Sequence, residues 1–177
     1  MIGPARAPRV VDRQVLTLSD ATVPASRQPY HAVLGARQGD RSALERRLRG
    51  IVERVTRRSL TQLLARYRGQ GRTVRGLALV VGSVIDPASI GNDHIRAHAL
   101  EGQLFRTALE RAAKRARVAC ATQVERGLYE TAAARLKRTP ADLRRTVAKL
   151  GDAVEGPWRA DEKTATLAAW LALARAH

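Results

Sequence analysis

Cysteine is nearly absent from this sequence. Cys120 is the only one, which excludes an intrachain disulfide and any metal site built from cysteines alone. A reducing, cytoplasmic setting is the expectation that follows. Aromatic side chains are also scarce, at 3%. Tyr30, Tyr67, Phe105, Tyr129, Trp158 and Trp170 are too dispersed to build the stacking platform on which sequence-tolerant readers of single strands depend. No run of about 18 or more apolar residues occurs, and no basic-then-apolar leader opens the chain, so neither membrane spanning nor secretion is expected. Glycine-rich phosphate loops, nucleophile elbows and zinc-finger spacings are missing as well.

Acidic residues are in short supply. Sixteen Asp plus Glu face 32 Lys plus Arg, a formal net charge of +16. Only Lys114, Lys137, Lys149 and Lys163 among the basic residues are lysines. A high-GC codon bias accounts for that choice of Arg over Lys, but not for the missing acids. The imbalance points to a polyanionic partner. Nucleic acid, DNA or RNA, leads; an acidic protein follows; a membrane is not expected.

What is present organises the 177 residues as one α/β domain, helix-rich, around a small and mainly parallel sheet. Residues 1–9, with Pro4 and Pro8, read as a flexible arm before a single domain over 10–177. Val10 to Leu18 is a strand candidate, and Tyr30 to Leu34 a second, shorter one between Pro29 and Gly39. From Asp40 or Ser42 the period becomes helical, with Leu44, Leu48, Ile51, Val52, Val55, Leu63, Leu64 and Tyr67 on one stripe to Gly69. The opposite face carries Arg46, Arg47, Arg49, Arg54, Arg57, Arg58, Arg66 and Arg68, extended by Arg72 and Arg75. This is the expected nucleic-acid surface; a solvated Arg face is its ordinary alternative.

The β-branched run from Gly76 to Ile85 reads as a strand buried on both faces, with Asp86 at its carboxyl end, where ligands of open α/β sheets bind. Asn92 or Asp93 caps a helix to about Ala116, and a short strand follows over 117–124, making a βαβ unit with parallel neighbours. Three helices close the chain, at about 125–137, 140–150 behind Thr139, and 160–176.

His94, His98 and Glu101 recur at i, i+4 and i+7 and so share a helical face. Two imidazoles one turn apart with a carboxylate beyond them are a facial ligand set, and with Asp86 they make the candidate metal residues. Histidines that line a phosphate pocket or pack on the sheet are the competing expectation. Asp86, Glu101 and Asp161 form a candidate acidic cluster for Mg²⁺ or Mn²⁺, with zinc ranked behind these ions. Asp161 and Glu162 also suit a helix N-terminus on dipole grounds alone. Cys120, inside a strand, is expected to act as a small hydrophobe.

From Leu77 onward the order of elements resembles the second half of a ribonuclease H-like domain of the RuvC-type resolvase kind. The resemblance rests on the strand ending in Ile85-Asp86, the helix through Gly102-Gln103-Leu104-Phe105-Arg106, the strand Val118 to Val124, the segment Arg126-Gly127-Leu128-Tyr129, and the closing stretch from Arg159 to Leu171. It implies a metal-dependent nuclease in which Asp86 takes the fourth-strand carboxylate role and Asp161 the last-helix role, with Asp12 or Asp20 supplying the first. This chain departs from the family in having Asp86 where glutamate is usual, and adjacent Asp161 and Glu162 where two aspartates stand a turn apart. A degenerate, non-catalytic relative that binds nucleic acid is therefore the companion expectation. An adaptor docking an acidic partner, and a metal-dependent hydrolase built on His94, His98 and Glu101, are the alternatives.

Overall fold

The computed structural model describes residues 8–175, and contacts divide the chain into two compact units. The chain passes from one unit to the other at 15/16, 74/75, 83/84 and 117/118. Most of the expected arm lies outside the described residues.

One unit holds the sheet. Strands β1 (Gly76–Val81) and β2 (Ala119–Val124) pair in parallel, in a register running from Gly76 opposite Ala119 to Val81 opposite Val124. Parallel strands cannot be joined by a tight turn, and residues 84–117 between them belong to the other unit. Three helices complete this unit, α4 (Leu128–Leu136), α5 (Pro140–Leu150) and α6 (Ala160–Arg175). Thr139 caps α5, its Oγ1 accepting from the Asp142 backbone N–H at 3.1 Å, and Pro140 fills the first helical position, where no N–H is needed. Leu128, Ala132, Leu143, Val147, Leu167, Ala168, Trp170 and Leu171 bury one another, with Ala78 and Val80 of β1 packed against them. The Trp158 indole N–H donates to the Val147 carbonyl at 2.9 Å.

The second unit is helical: α1 (Pro29–Leu34), the 29-residue α2 (Arg41–Gly69) and α3 (Asp93–Arg115). α2 packs on α3, and α1 lies against both. The apolar stripe of α2 is buried at Leu48, Ile51, Val52, Leu60 and Tyr67. On α3, Leu104 is buried together with Ala97, Ala108, Ala112 and Ala113, the alanines being small enough to let backbones approach.

Three strand expectations are corrected. β1 ends at Val81 rather than Ile85, and Val84 and Ile85 are more than half exposed. A strand lasts only while a partner pairs it; here Glu125 N–H donates to the Val81 carbonyl at 2.9 Å, after which Gly127 turns the partner chain at φ 80°. The β1 residues after Gly76 are half-buried, so the run is not covered on both faces. Tyr30 to Leu34 is helix, with Pro29 at its first position. Val10 to Leu18 forms no strand beyond a bridge at Val10, and Val15 is 90% exposed.

Thr56 is wholly buried on α2, and its Oγ1 finds no hydrogen-bond partner. A buried hydroxyl left unmet costs about 1–3 kcal/mol. Thr56→Val keeps the shape and removes the polar atom, so it is expected to raise stability by about 1 kcal/mol in urea unfolding; a loss of stability would show that the hydroxyl is satisfied.

Candidate functional site

The site grows from a buried charge. Glu101 lies in the third turn of α3 and is only 7% exposed, a burial that is tolerated when the group is hydrogen-bonded. Its Oε1 accepts from the backbone N–H groups of Tyr30 and His31, each at 3.2 Å, and from His31 Nδ1 at 2.9 Å. Those two amides belong to the first turn of α1, whose own N-cap residue, Gln28, supplies no side-chain cap. Glu101 therefore caps α1 from another helix. Its negative charge stands where an N-terminus favours one.

The consequence is a histidine cluster. With Nδ1 donated to Glu101, His31 turns Nε2 away from the carboxylate, and that atom lies 3.2 Å from His94 Nδ1. His94 Nε2 is 3.3 Å from His98 Nε2, while His98 Nδ1 faces Glu101 Oε2 at 4.0 Å. The three rings meet edge to face, with centroids 4.3–4.8 Å apart. His94 and His98 occupy the first turns of α3 on one side, as their i, i+4 spacing requires, behind the Asn92 cap that accepts from the Ile95 N–H at 3.0 Å. Both are exposed and His31 is half-buried. Among the described residues this is the one group of three or more His, Cys, Asp or Glu side chains near enough to share an ion.

The structure thus joins His94, His98 and Glu101, as their spacing implies, and adds His31, which the sequence reading missed. No local pattern marks His31, which stands in a segment where the sequence offers only a short strand candidate. Glu101 sits behind the imidazoles with one oxygen fully engaged. Asp86 stands apart from its expected place: it follows β1 by five residues, its carboxylate accepts from the Ala88 N–H at 3.0 Å, and it caps the short 3₁₀ turn Pro87–Ser89. Asp161 is exposed in the first turn of α6, in the other unit. Its neighbour Glu162 pairs with Arg13 at 2.8 Å and accepts from the Arg159 N–H, and the Arg13 hydrogen bond holds its carboxyl below the usual range. Asp20 closes a local turn onto Thr22, whose hydroxyl hydrogen bond lowers its carboxyl, and Asp12 accepts from Gln14 at 3.4 Å. Cys120 is half-buried in β2.

The arginines fall where the helical period puts them. Arg46, Arg47, Arg54, Arg57, Arg58, Arg66 and Arg68 are all exposed on α2, as are Arg72 and Arg75 beyond it. Both acids of the helix are paired, one across to α3 and the other within α2. Glu53 pairs with Arg111 of α3 at 2.7 Å, and Glu45 meets Arg49 at 3.4 Å and the Tyr30 hydroxyl at 3.3 Å.

Burial, then the Glu45 charge, pushes the Tyr30 phenol above its ordinary value. A raised folded-state value means that stability present below about pH 10, the unfolded phenol's range, is lost as pH rises through the folded value. In an absorbance titration, Tyr30→Phe is expected to remove a late-ionising phenol; an unchanged alkaline limb would contradict this placement. No family model matches the chain, and neither a curated protein nor a solved structure matches it.

Proposed function

We propose that this protein binds nucleic acid through the arginine face of α2. One observation carries the reading: a 29-residue helix buries Leu48, Ile51, Val52, Leu60 and Tyr67 on one side and leaves nine arginines exposed, while Glu53, one of its two acids, pairs with Arg111 of α3. Arg46 and Arg68 are separated by 22 residues, or about 33 Å at ~1.5 Å per residue, close to one turn of duplex at about 34 Å. A rigid cationic rod of that length can meet successive phosphates. Aromatics are too few for base stacking, so the contacts are to backbone phosphates and carry little sequence preference.

Such binding releases counterions, so affinity falls steeply as salt rises. We expect a salt series on labelled duplex DNA, single-stranded DNA and structured RNA to give a steep logarithmic slope. Combined Arg54→Gln, Arg57→Gln and Arg58→Gln should lower that slope by up to about 3, one per lost phosphate contact. Absence of binding at low salt would reject the proposal and leave an acidic protein as the partner for this face. Cleavage read on the same samples with Mg²⁺ or Mn²⁺, and its loss in Asp86→Asn, would add the nuclease step that the ribonuclease H-like resemblance implies; binding without cleavage fits a degenerate relative.

A further inference from the structure

Three of the chain's four histidines meet in one cluster, and nothing in phosphate binding by α2 requires them there. We propose that His31, His94 and His98 form a binding site for a zinc-class transition-metal ion, with Glu101 as the positioning carboxylate behind it.

The donor set selects the metal class. Imidazole nitrogens suit Zn²⁺ and its transition-metal neighbours, whereas Mg²⁺ and Mn²⁺ seek carboxylate and water oxygens. The spacing fits as well. Nitrogen ligands at about 2.0–2.1 Å from a tetrahedral ion stand about 3.3–3.4 Å from one another. The imidazole nitrogens here approach at 3.2 Å and 3.3 Å, and one atom from each ring lies within 4.8 Å of the other two. His94 meets His31 through Nδ1 and His98 through Nε2. Presenting a single nitrogen to the ion asks for a rotation of that ring, which its exposed position permits.

Orientation is supplied by the carboxylate. Metal-bound histidines commonly donate their second nitrogen to a carboxylate, which fixes both tautomer and ring direction. Glu101 stands in that relation to His31, whose Nδ1 lies 2.9 Å from Oε1, and His98 Nδ1 faces the other oxygen, Oε2, at 4.0 Å without a hydrogen bond. Both rings thereby aim Nε2 toward His94. The carboxylate cannot wander, because it is buried and also holds the first turn of α1. Exposure of His94 and His98 leaves the outer side open, so that water or a small ligand takes the fourth position, as in zinc sites that keep one coordination place free.

The test uses the full-length chain without an affinity tag, stripped of metal, titrated with Zn²⁺ by calorimetry and with Co²⁺ as a spectroscopic probe. We expect one ion per chain and the intense visible bands of tetrahedral Co²⁺. His31→Ala and His98→Ala should each weaken Zn²⁺ binding by more than about 100-fold, the upper end of what loss of an outer partner costs. Glu101→Gln should weaken it by about 10–100-fold with the stoichiometry unchanged. Circular dichroism of each variant separates lost ligation from lost folding. His98→Ala, on an exposed position of α3, keeps the test decisive if His31→Ala disturbs α1. Failure of the wild-type chain to take up Zn²⁺, or binding that survives His31→Ala unchanged in a folded protein, would overturn the proposal, the latter by reducing the site to an ordinary helical histidine pair. Nucleic-acid binding is not part of the readout, so the two proposals fail separately.

Discussion

The Glu101 carboxylate governs the helical unit. A charged group at 7% exposure must have its hydrogen-bonding capacity met, and here the obligation is met by two backbone amides and an imidazole from the same helical turn. A six-residue helix has little stability of its own, and α1 keeps its place by packing on α2 and α3 and by this cap from outside. The same bond that satisfies Glu101 sets the tautomer and direction of His31. Position, charge and ring orientation are one event.

A similar economy orders α2. Its buried side is fixed by apolar residues against the small-residue face of α3, and apart from the buried Thr56 the positions off that stripe face solvent or the helix flanks. Because arginine fills most of those outward positions, packing and charge display follow from a single helical period. The Glu53–Arg111 pair crosses from α2 to α3 at the surface, where an exposed ion pair is worth little energetically. Its effect is to occupy an acid that would otherwise dilute the basic face. In the sheet-bearing unit the arginines act differently. Arg138 lies 5.4 Å over the Trp170 ring and Arg144 4.1 Å over Tyr129, so cationic side chains there cover aromatic surface.

Elements with long, repeated patterns were legible in the sequence. α2 and α3 declare themselves through many turns of periodicity, the Asn92 and Thr139 caps mark their helices, and the parallel pairing of β1 with β2 follows from a strand, a long helix and a second strand. Short apolar runs were not legible to the same degree. Leu77 to Ile85 is largely apolar and closes on the β-branched Val84 and Ile85, yet strand stops at Val81, because the ladder depends on where β2 ends and not on the composition of β1. Tyr30 to Leu34 carries too few residues for any period to decide, and a proline at its first position together with a distant carboxylate tips it to helix. Asp86 lost its expected place for the same reason as the strand end did.

By itself, the sequence determined the helix-rich α/β character, the basic face of α2, and the shared side of His94, His98 and Glu101, because each follows from the fixed rise and period of one helix. Only the tertiary structure decided that His31 joins them, that Glu101 stands behind the rings, and that Asp86 closes a turn of its own. These are contacts between residues up to 71 positions apart. They depend on how separate elements pack and on which buried polar groups must be satisfied, and no local spacing encodes either.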